Sequence, residues 1–355
     1  MAGWMFTCLF LVPVPTFDEL AGGAILDRQS AIAAELDAYL NGLATRGFHG
    51  TVQIEHRGRV VLKKGYGWTD ESRRYPVTPK TLFYTASMAK TMTAMLILKL
   101  GEKGGLHLTD ELGSFFPEAP AALKTATLHH LLTHTAGLRS KYAADGFTRR
   151  EQAVRAVFEA NPNPEPGSFF YTNDGYALLA AIIETATGER FEAVLQREFL
   201  DPAGMKTAKL WGRFDDLNAA LVAQKQTDLD EATRQPNWGY LGSGGVYATA
   251  TDLSHMWHAL RSGEIIGPAS QQIAWRSHLT RDGLGVGYGW FRTVLPDGSS
   301  ILWSRGTEDF GHGALLQWYE RAGLLAIILT RSGLIDGEWG HRCVGHKVQD
   351  LVAGH

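Results

Sequence analysis

The stretch from Phe83 to Leu100, FYTASMAKTMTAMLILKL, constrains the fold more than any other part of the chain. It reads as a short extended lead-in followed by a helix opening at Ser87. Met92, Met95, Leu96, Leu98 and Leu100, with Ala94 and Ile97, leave only Thr91, Thr93 and Lys99 as polar positions, so the helix should lie inside the protein. Ser87 and Lys90 stand three residues apart at its mouth, about 300° of rotation and about 4.5 Å of rise, so both side chains can face one cleft. A hydroxyl beside an amine fits a serine nucleophile activated by a lysine. The same pair also fits an N-cap serine and a first-turn lysine reaching out to solvent.

With 355 residues the chain is long enough to surround such a helix with a large core, as about two domains or one composite domain. Lys plus Arg number 34 against 37 Asp plus Glu, a net charge of -3, with no basic block, so nucleic acid is not an implied partner. Cys8 and Cys343 lie near opposite ends, and neither a C-x-x-C nor an H-E-x-x-H motif occurs. Neither a disulfide framework, a metal nor a cofactor is expected. The apolar stretch WMFTCLFLVPVP resembles a signal-peptide core but has no Lys or Arg before it, and it is too short and proline-broken to span a bilayer. This favours a cytoplasmic chain; were the stretch a signal, the mature protein would be periplasmic or secreted.

Taken in order, residues 1–24 form an N-terminal segment without a clear assignment. Ile25 to Arg46 carries Ile25, Ile32, Leu36, Tyr39, Leu40 and Leu43 at helical spacing and stops at Gly47. TVQIEHRGRVVLKKGYGW then reads as a hairpin turning at Arg57 and Gly58. Helices and loops dominate from Ser87 onward, including Arg149 to Ala160 and two helices between Tyr176 and Phe199 broken at Gly188. The glycines of GYLGSGG mark a tight turn before a helix capped by Thr251 or Asp252. Strand patterns return in GVGYGWFRTVL, SSILWSRG, ALLQWYE and LLAIILTRS, and a last helix spans about Gly337 to Val352. Strands at both ends and helices between imply an α+β fold: an antiparallel sheet flanked by the N- and C-terminal helices, with a mainly helical region inserted. The sheet body would comprise 25–84 and 246–355, and the helical region 85–245.

A second chemical group stands in PGSFFYTNDGYALL. Tyr171 and Asn173 are two residues apart just before a helix, so both can project the same way from an extended segment. Taken alone, Asn173 or Asp174 could simply cap that helix and Tyr171 could belong to an aromatic core.

SMAK and YTN stand in the order S-x-x-K, Y-x-N. With LHLTDELGSFFPE, TLHHLLTHTAGL, PGSFFYTNDGYALLAAIIETATGERFEAVLQREFLDPAGM and GSGGVYATATDL, also in order, they resemble the serine β-lactamase and penicillin-binding protein superfamily. The resemblance is to its class C β-lactamase, DD-peptidase and family VIII-type esterase branch, and it covers about residues 27 to 335. It implies the β-lactamase/transpeptidase-like fold and acylation of Ser87 followed by hydrolysis, with Lys90 and Tyr171 sharing proton transfer and Asn173 binding Lys90 and the substrate. A Tyr171 flanked by an ammonium is favoured as phenolate, and the phenolate favours protonated Lys90, so the pair would titrate jointly.

The family's third motif, K-T-G or H-x-G on a strand, is altered here. Ser304, Arg305 and Gly306 fall where it is expected; His312 and Gly313 are the less favoured placement, leaving too few residues before the next strand. In the first placement Gly306 lets a substrate approach the backbone, and the N–H groups of Thr307 and Ser87 form an oxyanion hole. Loss of Lys or His puts β-lactam carboxylate recognition in doubt, with Arg305 as the replacement cation. In the same resemblance His134 belongs to a structural segment. Trp238, Tyr240 and Trp303 suit either an acyl pocket or ordinary core. The leading expectation is a carboxylesterase on small acyl esters with weak or no β-lactam turnover. A β-lactamase or D-amino-acid peptidase is the alternative enzyme, and a catalytically silent binding protein of the same fold the alternative of another class. The partner is a small-molecule ester or amide; oligomeric state is left open.

Overall fold

The computed structural model describes residues 17–161, 165–210, 222–223, 237–308 and 311–353. The whole of the apolar stretch read above as signal-like therefore lies outside the described residues.

Helix α1 (Phe17–Thr45) leads into the hairpin β1 (Gly50–His56) and β2 (Arg59–Tyr66), which turns at Arg57 and Gly58, both with left-handed φ. Six later strands complete the main sheet: β6 (Leu279–Arg281), β7 (Leu284–Val286), β8 (Phe291–Val294), β9 (Ser300–Thr307), β10 (Gly313–Tyr319) and β11 (Leu324–Thr330). The order is β2-β1-β11-β10-β9-β8-β7-β6, antiparallel throughout. The N-terminal hairpin thus joins the C-terminal strands through β1 and β11, Val52 opposite Ile328. The sheet is built from both ends of the chain.

Side-chain alternation along β11 explains why every one of its residues is apolar or small. Leu324, Ala326 and Ile328 pack with Leu36, Leu40 and Leu43 of α1 and with Val344, Val348 and Leu351 of α11 (Gly340–Ala353). Leu325, Ile327 and Leu329 face the other way, into the large core shared with the helical region. A strand covered on both faces has no polar face to show.

The covered side holds α2 (Ala89–Glu102), buried continuously from Ala89 to Leu98. Burying an aliphatic side chain such as Leu96 contributes about 1.5–3 kcal/mol, so α2 is firmly seated. Its threonines are buried too, because each hydroxyl has a partner: Thr93 donates to the Gly242 carbonyl at 2.7 Å and Thr91 to that of Gly289 at 2.7 Å. Lys99 donates to the Glu198 carbonyl at 2.6 Å. Helix α7 (Asp174–Thr187) packs beside α2 and stops at Gly188, before α8 (Phe191–Leu195). Among the described residues, no helix is long and apolar enough to cross a membrane.

Candidate active site

Ser87 lies in a single 3-10 turn, Ala86–Met88, and α2 begins only at Ala89. The sequence expectation of a helix opening at Ser87 is corrected by one turn. Ala86, fully buried, has φ +48°, a left-handed conformation that costs a non-glycine residue roughly 1 kcal/mol or more. The chain bends sharply there, between the short strand β3 (Phe83–Tyr84) and the turn that carries Ser87. Ser87 is therefore not a capping serine; it keeps partial exposure at the floor of a narrow crevice.

Lys90, one turn on, is 2% exposed, which excludes a lysine reaching out to solvent. Its Nζ lies 2.9 Å from Ser87 Oγ, 2.6 Å from Asn173 Oδ1 and 2.9 Å from the Ser243 carbonyl oxygen. The last two can only accept hydrogen bonds. A neutral amine gives its two N–H groups to them and turns its lone pair toward the Ser87 hydroxyl. Burial supplies the neutral form, drawing the Lys90 pKa down to about 7, partly opposed by the Glu308 carboxylate.

Asn173 sits at the N-cap position of α7 but makes no side-chain capping bond; its amide oxygen goes to Lys90. The neighbouring Asp174 carboxylate instead anchors the preceding loop, accepting from Ser140 Oγ at 2.5 Å and from the Ala143 and Ala144 backbone N–H groups. Tyr171 lines the crevice beside Ser87, and its ring centroid lies 5.0 Å from Lys90 Nζ. Burial pushes the Tyr171 phenol up to about 12, against the pull of Ser87 and Arg305. The expected phenolate–ammonium pair is thus not the favoured resting form. Burial penalises both charges and favours phenol beside amine.

The buried lysine carries a stability signature. The unfolded chain holds the lysine proton up to pH 10.5, whereas the native site releases it near 7, so the unfolded state binds more protons in between and native stability rises with pH across that window. Lys90→Met is expected to raise the melting temperature by several degrees at pH 7, with the gain shrinking as pH approaches 10.5. Thermal scans at both ends of the window check this, and a gain independent of pH would contradict it.

Ser304, Arg305 and Gly306 lie on β9, beyond Trp303, the last residue paired with β8. Ser304 faces α2, its Oγ 2.7 Å from Thr91 Oγ1. A Cβ at Gly306 would collide with the Thr85 carbonyl and stand 2.9 Å from the Ser87 nitrogen, so the close approach that requires glycine is that of the Ser87 turn itself. Ladder alternation then orients Thr307. Glu308 donates its N–H to the His312 carbonyl across β10, so the next pair, Thr307 with Gly313, is a non-hydrogen-bonded one. The Thr307 N–H therefore points away from β10, to the edge that β8 leaves uncovered.

Arg305 lines the crevice with Ser87, Lys90 and Tyr171, its guanidinium 5.4 Å from the Trp303 ring. His312 is buried beside the Tyr84 ring, at 6.2 Å, and does not line the crevice. Of the aromatics singled out in the sequence, Trp303 reaches the site indirectly, through Arg305 and through Phe291, on which it stacks at 4.7 Å. Trp238 packs in the main core and Tyr240 against Tyr84.

Sequence reasoning missed two contributors and placed a third, His134, only in a structural segment. The Ser243 carbonyl is a backbone group without a side-chain signature. The loop between β7 and β8 supplies Gly287 and Gly289 as a wall. His134, 5% exposed with φ +59°, also lines the crevice, its ring 4.5 Å from that of Tyr171 and its Nδ1 accepting from the Thr172 N–H at 3.3 Å. Burial and Lys90 pull its pKa down to about 3, so it stands neutral, as a wall for Tyr171. Among the described residues no group of three His, Cys, Asp or Glu is disposed to hold a metal ion.

The chain is similar to known proteins over most of its length. The family model described as Beta-lactamase matches residues 35–335. The putative penicillin-binding protein PbpX of Bacillus subtilis (strain 168) is 30% identical over 234 residues, 65% of this chain and 60% of that protein. The teichoic acid D-alanine hydrolase of Staphylococcus aureus (strain MRSA252) is 25% identical over 237 residues, 66% of this chain and 59% of that one. The match thus spans about 60% of the length of these curated relatives. Among solved structures, the octameric penicillin-binding protein homologue from Pyrococcus abyssi superposes with a TM-score of 0.77 at 24% identity, covering 90% of this chain and 77% of that one. The D-amino acid amidase from Ochrobactrum anthropi SV3 does so with a TM-score of 0.76 at 19% identity, covering 91% and 99%. With its S-x-x-K turn, its sheet built from both termini and the family match running from α1 to β12 (Leu334–Ile335), the chain belongs to the beta-lactamase family.

Proposed function

We propose that this chain is a cofactor-independent serine hydrolase that works through an acyl-Ser87 intermediate. The observation that carries this reading is the lysine amine 2.9 Å from Ser87 Oγ with its other two bonds taken by carbonyl oxygens. Lys90 accepts the Ser87 proton as Oγ attacks the acyl carbon. Tyr171, beside the same hydroxyl, passes a proton to the leaving group and is reprotonated from Lys90, which restores the neutral amine, and Asn173 holds that amine in place. The N–H groups of Ser87 and Thr307 take the developing oxyanion. Water then repeats the sequence on the acyl-enzyme.

The substrate class is a small acyl ester. The crevice is narrow, and Ser304, engaged with Thr91, stands where the third motif carries a cation in β-lactamases, which favours weak or no β-lactam turnover. A second reading is favoured by Arg305, a guanidinium lining the crevice that suits a carboxylate-bearing or D-aminoacyl substrate. The names of two similar proteins, a teichoic acid D-alanine hydrolase and a D-amino acid amidase, point the same way.

Initial rates on a short-chain p-nitrophenyl ester, a D-alanine p-nitroanilide and a chromogenic cephalosporin, for wild type and Arg305→Ala, decide between these. The first reading expects the ester to lead and to survive Arg305→Ala within about threefold, since an acyl ester has no anion to pair. The second expects the D-alanyl compound or the cephalosporin to lead and to lose at least about tenfold with Arg305. No turnover of any of the three, with no covalent adduct on Ser87, leaves a binding protein of the same fold.

A further inference from the structure

The clamp on the end of β9 has a second jaw. On one face, Gly306 admits the Ser87 turn. On the other, Thr307 points at α11, where His341 Nε2 lies 3.1 Å from Thr307 Oγ1. His341 is fully buried, and its ring occupies the space a Cβ at Gly313 would fill, colliding with Nδ1. Gly313 is the partner of Thr307 across the ladder, so the imidazole sits directly over the last pair of β9 and β10. Two glycines therefore open the same strand end, one for the nucleophile and one for a histidine.

The ring is uncharged: burial, with Arg305 and Arg342 nearby, holds its pKa down to about 3. Nδ1 has no hydrogen-bond partner among the described residues. An orphaned buried N–H costs more than an orphaned lone pair, so the proton belongs on Nε2, which donates to the Thr307 hydroxyl. A fully buried imidazole with one nitrogen unpartnered is a poor choice for mere packing, where a phenylalanine would do better. Its single bond goes to the residue whose backbone N–H points to the uncovered edge of β9.

We propose that His341 is a positioning residue for the acyl-transfer site: through the Thr307 hydroxyl it fixes the end of β9, and with it the Thr307 N–H beside Ser87. The inference rests on the oxyanion role given to Thr307 in the proposed function. It makes the C-terminal helix a part of the site's support although no atom of it lines the crevice.

The test uses the full chain with His341→Phe, His341→Gln, Thr307→Val and the double variant His341→Phe/Thr307→Val. With the p-nitrophenyl ester, His341→Phe and Thr307→Val are each expected to lower kcat about tenfold with KM within about twofold, because an oxyanion donor acts chiefly on the transition state. The double variant should be no slower than either single one, and His341→Gln, which keeps an N–H donor, should recover part of the loss. Additive losses in the double variant, a change confined to KM, or unchanged kcat in Thr307→Val would overturn the proposal; that last measurement stands even where His341→Phe fails to fold. Amide exchange over residues 304–307 separates this inference from the functional reading. If wild type neither turns over the ester nor takes a covalent label on Ser87, the hydrolase reading fails; faster exchange in His341→Phe then still supports positioning, and unchanged exchange refutes it.

Discussion

Ser87→Ala abolishes covalent labelling by a fluorophosphonate and lowers ester turnover by about four orders of magnitude or more, since the nucleophile of a covalent mechanism has no substitute in the site. Intact-mass analysis reads the adduct and a stopped assay reads the rate. Ser87 is the hydroxyl that both Lys90 and Tyr171 address. Thr91 and Ser304 are engaged with each other, and Thr93 with the Gly242 carbonyl, so none of them is poised to take over. The fold should survive the change, because Ser87 caps no helix and its hydroxyl is partly exposed. Undiminished ester turnover in Ser87→Ala would remove the acyl-serine mechanism altogether.

Lys90→Ala and Tyr171→Phe each lower acylation by roughly two orders of magnitude or more, the usual cost of losing a positioned acid or base, but they differ in their pH dependence. In wild type the neutral amine is the reactive form. With burial holding Lys90 down to about 7, acylation should climb about tenfold per pH unit below that value and level off above it. Lys90→Ala loses this limb. Tyr171→Phe keeps it, because the phenol, pushed up to about 12, does not titrate in the same range. A full pH profile of kcat/KM for each variant checks both statements. A limb near pH 7 that persists in Lys90→Ala would assign the ionisation to another group.

Local pattern and long-range geometry contributed differently to these conclusions. Apolar residues on every side of α2 announced a buried helix, because side-chain periodicity is a short-range property that needs only the helical repeat. The strands at both ends of the chain were equally legible, since each alternates or runs apolar according to its own cover. The residue pair Ser87 and Lys90 could be placed together because three positions on one turn are neighbours in any helix. Tyr171 and Asn173, more than eighty residues on, were tied to that pair by family resemblance; their own spacing suits a helix cap equally well.

What the sequence determined by itself was the α+β class, the buried helix and the candidate Ser87, Lys90, Tyr171 and Asn173. Tertiary structure alone decided their states and the rest of their company. Burial makes Lys90 an amine and Tyr171 a phenol, and burial is a sum over neighbours from α2, α7, β9 and the turn at Ser243 that no local window contains. The choice between Arg305 and His312 depended on register: with Thr307 opposite Gly313, Arg305 reaches the crevice and His312 turns in against Tyr84. The same register directs the Thr307 N–H to the open edge and brings His341 over its hydroxyl. Backbone donors and carbonyl acceptors are common to every residue, so only the folded chain can say which of them face the serine.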